Sequence, residues 1–384
     1  MKEHFKIETK IPLIPTEKNG MNDIFLNKEL WNKLTIIKEK IDDKDIKEWD
    51  NVKKHTNEYE LIYLSSRVRE RDSIAKIKPL SRSYFKMWEI FYECGVPLFN
   101  GINCGHLAEG PGGFIQATTD IMKKNNLHYY CHGITLRSTE RDIPGWKKAN
   151  RFIKSNNVSI HYGQDGTGDL YKKKNMLHFA DRVGLGSCAI VTADGGFDYS
   201  GDFNKQEEMS YKLLLCEIVT NLLVQQKDGF FIIKFFDIFT LLSIQLIYMT
   251  GCYYESFEIF KPKTSRMANS EKYIIFKKFK GISQEDIDIL LNIIDTQIDY
   301  NKLSLYQDFE SISFVNAFIN KIEEFNKLFS EQQLHSIEKT LDILEKKIPF
   351  DEIKETCQKY QIERASKWCR RYDVPINSNS CYLK

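Results

Sequence analysis

No Cys-x-x-Cys pair occurs in the sequence, although it holds nine cysteines, at 94, 104, 131, 188, 216, 252, 357, 369 and 381. An odd and scattered set fits neither a disulfide framework nor a zinc site, and it suits a reducing compartment. The eight histidines add no ligand spacing beside a cysteine pair, so no metal is expected. Also missing is any apolar run near the ~20 residues that span a bilayer, because charge breaks every such stretch. Met1 is followed by Lys2, Glu3 and His4 and not by an apolar stretch, so no secretory leader is read. These absences set aside membrane and disulfide-stapled classes and leave a cytoplasmic or nuclear protein.

What is present is globular. The 384 residues are 42% hydrophobic and 28% charged, enough for one large or two modest domains. The net charge of +2 hides an uneven layout. Arg67 to Lys86 holds seven basic residues against two acidic, Ile121 to Val158 eight against two, and Lys261 to Lys280 seven against one. Glu285 to Glu355 reverses this, with sixteen acidic residues and seven basic. One basic cluster alone reads as a solvated face; three of them flanking the motifs below point to a polyanion such as RNA or DNA.

Apolar spacing predicts helices over Asn27–Lys40 and Val52–Val68. From Gly101 short β-rich runs alternate with helical ones. Strands are expected at Ile102–Ala108, Tyr129–Leu136, Val158–Tyr162, Cys188–Ala193, Phe230–Phe236, Phe257–Phe260 and Lys272–Phe279. Helices are expected at Gly113–Lys124, Lys205–Gln226 and Phe239–Thr250. Such alternation predicts a mostly parallel sheet covered on both faces. Beyond Ser283, an N-cap ahead of the stripe Ile287, Leu290, Leu291 and Ile294, the pattern is helical, with Pro349 and Pro375 as punctuation. The expected division is a helical N-terminal segment (1–80), an α/β core (81–281) and an acidic helical C-terminal module (282–384).

The sharpest local signal is His106-Leu-Ala-Glu-Gly-Pro-Gly-Gly-Phe114, between a strand and a helix. Glycines 110, 112 and 113 allow a tight turn and close ligand approach, and the helix start offers unpaired N–H groups. Pro111 interrupts any G-x-G-x-x-G fingerprint, which disfavours a dinucleotide. A carboxylate beside a Pro-Gly-Gly turn suits the amino-acid and sugar ends of S-adenosylmethionine; Glu109 serves equally as a helix-start residue. Downstream, Gly163-Gln-Asp-Gly-Thr-Gly-Asp169 is either an acidic turn or a place for a carboxylate to read an adenine amino group.

Asp194 ends the buried-looking strand Ala189–Asp194, and Lys234 sits inside the apolar run Gly229–Phe236. Burying an unpaired ammonium costs several kcal/mol, so Lys234 needs a reason. A solvent-facing edge is the bland one. In a parallel sheet, Asp194 and Lys234 both reach the carboxyl ends of strands, where open α/β folds bind ligands.

The runs Ala193-Asp-Gly-Gly-Phe197, Lys234-Phe-Phe-Asp-Ile-Phe-Thr240 and Phe260-Lys-Pro-Lys-Thr-Ser-Arg-Met-Ala-Asn-Ser-Glu271, with Ser81-Arg-Ser-Tyr-Phe-Lys86 upstream, resemble the mRNA cap nucleoside 2′-O-methyltransferases. These belong to the wider FtsJ/RrmJ-like group, and this version resembles the eukaryotic and large-DNA-virus type. The resemblance covers roughly residues 67–280, with a fainter echo at 365–375. It implies a Rossmann-like S-adenosylmethionine-dependent methyltransferase with a mostly parallel seven-stranded sheet, plus helical N- and C-terminal segments.

The family's Lys-Asp-Lys-Glu tetrad falls on Lys86, Asp194, Lys234 and Glu271. The resemblance implies that Lys234 is the base taking the ribose 2′-OH proton. Desolvation and Lys86 would depress its pKa, while Asp194 and Glu271 orient it and oppose that shift. It places the cofactor on Ser81, Ala108, Glu109, Gly110, Pro111, Gly112, Gly113, Phe114, Thr135, Asp165, Gly166, Asp169 and Asp194. RNA is expected on Arg67, Arg69, Arg71, Arg82, Ser265 and Arg266. The chain departs from the family in having Arg137 where lysine is common, Met267 where proline is common, and a shorter insertion near the third strand. The last leaves Asp165 and Asp169 both open as the adenine partner.

The implied substrate is the first transcribed nucleotide of capped mRNA, which the Ser-Arg-x-Ala-Asn-Ser-Glu segment favours. Ribosomal or transfer RNA is the alternative, and a non-catalytic RNA-binding subunit is a third. No metal or membrane is implied, and the compartment is cytoplasm or nucleus, or host cytoplasm or virion for a viral protein. The acidic C-terminal helices are expected either to pack on the sheet edge or to bind a protein partner. No aromatic residue is singled out by spacing to stack a cap base.

Overall fold

The computed structural model describes residues 1–64, 73–137, 145–154, 156–196 and 203–383. In chain order the elements are β1 (Lys2–Phe5), β2 (Thr16–Glu17), α1 (Lys28–Asp42), α2 (Ile46–Thr56), α3 (Ser83–Cys94), β3 (Ile102–Leu107), α4 (Gly113–Lys124), β4 (Tyr129–Ile134) and α5 (Asn150–Lys154). There follow β5 (Val158–His161), α6 (Lys173–Val183), β6 (Cys188–Ala193), α7 (Gln206–Val224), β7 (Gln225–Phe235), α8 (Leu241–Cys252), β8 (Tyr254–Phe260) and β9 (Lys272–Phe279). The C-terminal part adds α9 (Gln284–Asp295), β10 (Leu303–Ser304), α10 (Ser313–Leu344) and α11 (Phe350–Arg371).

The main sheet runs β1-β8-β9-β7-β6-β3-β4-β5. From β7 to β5 all neighbours are parallel, and β9 is antiparallel to both β7 and β8. All seven expected strands form. The eighth, β1, is a correction to the seven-stranded expectation. Its four residues hide a strand because three are charged or polar; only Phe5 is buried, stacked on Phe257 at 4.9 Å. A short charged strand is what an exposed sheet edge calls for. β1 pairs antiparallel with β8, from Lys2 opposite Phe260 to Phe5 opposite Phe257.

Pleating splits the sheet's side chains between two apolar layers. Val191, Ile233 and Ile274 pack with residues of α7, α8 and α9, while Ile190, Ile232 and Ile275 pack with residues of α3, α4 and α11. Both faces are thus covered, as the near-continuous hydrophobic runs require.

The termini are woven into this body. β1 belongs to the main sheet, β2 pairs with β10, and α10 lies against α1 and α2. Trp88 of α3 donates its indole N–H to the Tyr372 carbonyl at 2.9 Å, tying in the C-terminal end. Of the expected Val52–Val68 helix, α2 reaches Thr56, started by the Asp45 cap, which accepts from the N–H groups of Lys47 and Glu48; a single 3-10 turn follows at Glu60–Ile62, and residues 65–68 lie outside the described residues. Ser283 caps α9 by accepting from the Asp286 N–H at 3.2 Å. Among the described residues no helix is long and apolar enough to cross a membrane.

Candidate active site

Strand register brings the first two residues together. β6 and β7 are parallel with Ala193 opposite Ile233, so Asp194 and Lys234 emerge side by side at the sheet's carboxyl edge. Lys234 shares the pleat side of Phe230 and Ile232, the side that packs with α3 and α4. β9 runs back beside β7 with Tyr273 opposite Lys234, which delivers Glu271 to the same spot. Lys86 comes from the first turn of α3 on that face.

The four side chains are joined in one chain of contacts, through a fifth. Lys86 Nζ lies 2.6 Å from Glu271 Oε1. The Tyr273 hydroxyl is 3.2 Å from that same oxygen and 2.8 Å from Asp194 Oδ1. Lys234 Nζ lies 3.3 Å from Asp194 Oδ1 and donates to the Asp194 carbonyl at 2.9 Å. Side-chain exposure is 14% for Lys86, 10% for Glu271, 13% for Asp194 and 11% for Lys234. The cluster is sheltered yet reachable, and a Cβ at Gly196 would stand 3.1 Å from Lys234 Nζ, so that glycine keeps the amine uncovered.

Burial alone would raise the Glu271 carboxyl, but Lys86, Lys234 and Lys261 outweigh it and hold it well below the usual range. Tyr273, fully buried between two acids, is pushed up by burial first and by Asp194 and Glu271 next, so it stays a neutral donor. With one proton, it bonds one acid at a time. Sequence reading passed over Tyr273; its signal was the period-two offset from Glu271 into the strand opposite Lys234.

Two buried acids fix the flanking loops. Glu89, one turn beyond Lys86 on α3, accepts from the Lys263 and Thr264 N–H groups, both at 2.8 Å, and from the Thr264 hydroxyl at 2.6 Å. Glu207 accepts from the N–H groups of Phe239 at 3.0 Å and Thr240 at 2.9 Å, pinning the turn after β7. Helix α10 closes the rear of the site. Asn326 donates to the Ile238 carbonyl and Gln333 to that of Ala268, and the Phe329 ring lies beneath Lys272 at 4.4 Å and Lys261 at 5.2 Å. Helix α10 thus packs on the core and braces the site's own loops.

The glycine turn lies at the β3–α4 junction. Gly112 has φ +104°, a left-handed value that a side chain rarely tolerates, and a Cβ there would stand 3.3 Å from the Trp146 ring. A Cβ at Gly113 would stand 2.3 Å from Ser81 Oγ and 2.2 Å from Ser83 Oγ, so α3 and α4 meet only because glycine is there. Ser81 and Ser83 hydroxyls are 2.6 Å apart. Beside the turn, Trp146 Nε1 is buried with no acceptor among the described residues. Thr135, just past β4, presents its carbonyl to Gly168, where a Cβ would collide at 1.9 Å.

Several of the expected ligand residues have partners within the protein. Glu109 is 3% exposed; its carboxyl accepts from the Thr192 hydroxyl and lies 3.1 Å from His106 Nδ1. Burial raises the Glu109 carboxyl strongly and pulls His106 down to about 3. Phe114 is fully buried, its ring 5.5 Å from that of Tyr273, and it supports the tetrad from behind. Asp165 accepts from the Thr167 N–H at 3.0 Å and hydroxyl at 2.6 Å, from Asn175 at 3.0 Å and from Lys172 at 2.9 Å. Its carboxylate therefore builds its own turn, and Thr167 first, then Lys172, holds it far below the usual range. Asp169 accepts from the Tyr171 N–H at 2.9 Å, with Lys172 at 3.9 Å from its other oxygen.

The expected RNA contacts divide likewise. Arg82 donates to Glu60 at 3.4 Å and to the Tyr63 carbonyl at 2.6 Å, while Arg266 makes a fork to Glu60 at 2.9 and 3.1 Å. Ser265 is 2% exposed and donates to Glu271 at 3.2 Å. These three serve the protein's own network, because the buried Glu60 and Glu271 carboxylates need donors more than the surface does. Arg67, Arg69 and Arg71 lie outside the described residues.

The chain is 27% identical over 354 residues to "Cap-specific mRNA (nucleoside-2'-O-)-methyltransferase 2" of Danio rerio, covering 88% of this chain and 46% of that protein. It is 31% identical over 244 residues to "Cap-specific mRNA (nucleoside-2'-O-)-methyltransferase 1" of Dictyostelium discoideum, covering 60% of this chain and 32% of that one. With the Mus musculus protein of the latter name the identity is 35% over 207 residues, covering 50% and 23%. The chain thus spans less than half the length of the curated relatives it matches. The family model described as FtsJ-like methyltransferase matches residues 79–279, more than half of the chain and the stretch that carries Lys86, the glycine turn, Asp194, Lys234 and Glu271. By that match the chain belongs to the FtsJ-like methyltransferase family.

Proposed function

We propose that this chain is an S-adenosylmethionine-dependent RNA 2′-O-methyltransferase whose substrate is the capped 5′ end of mRNA, at the ribose of the first transcribed nucleotide. The observation that carries the reading is the unbroken line Lys86–Glu271–Tyr273–Asp194–Lys234, which ends on an amine uncovered by Gly196 at the sheet's carboxyl edge.

S-adenosylmethionine, when bound, supplies a methyl group on a sulfonium, already a good leaving group. The residues present fit it: a backbone turn with left-handed Ala108 and Gly112, the N-terminus of α4, the unpartnered Trp146 Nε1, and open space beside Gly166. Asp169, with acceptor capacity left over, is the residue for the adenine amino group, whereas Asp165 shapes the turn. Lys234 in its neutral form would take the proton of the 2′-hydroxyl, the methyl donor leaving as S-adenosylhomocysteine. Asp194 fixes that amine through its carbonyl and carboxylate. Lys86 and Glu271 neutralise each other beside it, and Tyr273 holds the two acids at constant spacing. Alignment of this kind supplies ~7–11 kcal/mol of a barrier, and a positioned base about 10²–10⁴ in rate.

Mass spectrometry of a short capped transcript incubated with the methyl donor tests the proposal. The expected result is a gain of one methyl group, found after nuclease digestion on the ribose of the first transcribed nucleoside. Methylation at another nucleotide would move the target along the transcript. Equal methylation of the uncapped transcript would shift the substrate to other RNA, and no methylation of any RNA would remove the proposal.

A further inference from the structure

Beside the reaction centre, on the far side of the loop 261–271, lies a cavity of about 650 Å³. Its walls are that loop itself (Pro262, Lys263, Arg266, Met267), the end of α2 with Tyr59, and one face of α10 with His335 and Lys339. Six basic side chains line it against two acidic ones. Three of the six, Lys261, Lys263 and Arg266, come from the basic run 261–280, whereas Lys339 comes from the segment Glu285 to Glu355, where acids outnumber bases more than two to one. The acidic helix α10 turns one of its few lysines into this space.

The basic groups differ in availability. Arg266 is bound to Glu60, and Lys261 donates to Asn269 and to the Glu271 carbonyl. Lys263 and Lys339 are exposed, and among the described residues neither ammonium is paired with a carboxylate. Tyr59 and Met267 add an apolar wall beside them. Two free cations next to an aromatic face match a phosphate followed by a base, the repeat unit of a single strand. The cavity also shares a wall with the site, because Ser265 both lines it and donates to Glu271.

We propose that this cavity seats the RNA strand next to the target nucleotide, with phosphate on Lys263 and Lys339 and a base against Tyr59. The inference rests on the methyltransferase reading for its substrate, though its binding test does not. An occupied cavity would press on the loop that carries Glu271, so strand length and methylation are coupled.

The test compares a capped dinucleotide with a capped decamer as substrates, using the whole chain and a Lys263→Ala/Lys339→Ala variant. The expected result is that the decamer's advantage in kcat/KM over the dinucleotide falls about tenfold in the variant. Binding of a labelled uncapped decamer, followed by anisotropy against salt, should lose about 0.7 of slope per phosphate contact removed. Lys327→Ala/Lys346→Ala, exposed on the same acidic segment but away from the cavity, serves as the control and should change neither readout. An unchanged ratio and slope in the first variant would overturn the proposal, as would equal losses in the control. Polyaspartate displacing the decamer from wild type but not from the variant would give the cavity to an acidic protein segment instead. If wild type methylates no capped RNA, the function reading fails while the anisotropy slopes still decide the cavity.

Discussion

The Tyr273 hydroxyl stands 2.8 Å from Asp194 Oδ1, and through its other contact, 3.2 Å to Glu271, it is the bridge between the acids of the two lysine pairs. Removing the hydroxyl leaves the ring packed on Phe114 and lets the acids drift apart. Tyr273→Phe should lower the methyl-transfer rate about tenfold, the equivalent of one hydrogen bond of ~1.4 kcal/mol. Methyl-donor affinity by calorimetry should stay near wild type, because the phenol faces the tetrad and not the glycine turn. A wild-type single-turnover rate would reduce Tyr273 to packing.

Lys234 is the position where loss should be greatest. Lys234→Ala should cut turnover by about 10²–10⁴ while leaving methyl-donor binding nearly intact. Lys234→Arg should not rescue it, since a guanidinium keeps its proton at any working pH. Full activity in either variant would take the base role away from Lys234.

The contrast between Lys234 and Tyr273 measures what the sequence made legible. Lys234 was conspicuous because an ammonium in the apolar run Gly229–Phe236 breaks a local rule, and Asp194 because it follows six buried residues. Tyr273 breaks no rule: an aromatic in a strand is ordinary, and only the antiparallel register of β9 against β7 makes it central. Helix α3 was missed as well; its residues Ser83–Cys94 are mostly apolar and mostly buried. β1 and the bracing role of α10 were hidden because both depend on partners far along the chain, Phe257 to Phe260 for β1, more than 250 residues away, and Ile238 and Ala268 for α10, 88 and 65 residues away. Asp165, Arg82 and Ser265 were chemically plausible ligands, and what sequence lacked was the claim of Thr167, Glu60 and Glu271 on the same atoms.

Glu217 on α7 gives a pH test of the region behind Asp194. It is 1% exposed, its Oε1 has no hydrogen-bonding side chain, and burial raises its carboxyl strongly, with Lys234 opposing. A carboxyl raised by folding contributes stability that is present below its ordinary pKa of 4.5 and is lost as pH climbs through the folded value. Glu217→Gln has no such proton to lose. Its melting temperature relative to wild type should therefore increase steadily from pH 5 upward, read by thermal unfolding across pH 5–8. A constant difference over that range would mean that Glu217 is ionised in the fold, with its charge matched by Lys234.

The last prediction separates two neighbouring carboxylates by what already occupies them. Asp165 receives four donors from its own turn, so Asp165→Ala should loosen residues 163–175 and lower the melting temperature, with methyl-donor affinity falling only as the turn disorders. Asp169 accepts one backbone N–H on one oxygen and has Lys172 only at 3.9 Å from the other, so Asp169→Ala should cost little stability but weaken the methyl donor about tenfold, the worth of one charge-assisted hydrogen bond. S-adenosylhomocysteine and an analogue lacking the adenine amino group sharpen the comparison. Wild type should discriminate between them and Asp169→Ala should not, whereas Asp165→Ala should weaken both alike. If instead the discrimination disappears with Asp165→Ala and survives in Asp169→Ala, the turn must open on binding and hand its carboxylate to the adenine, exchanging Thr167 for a ligand donor.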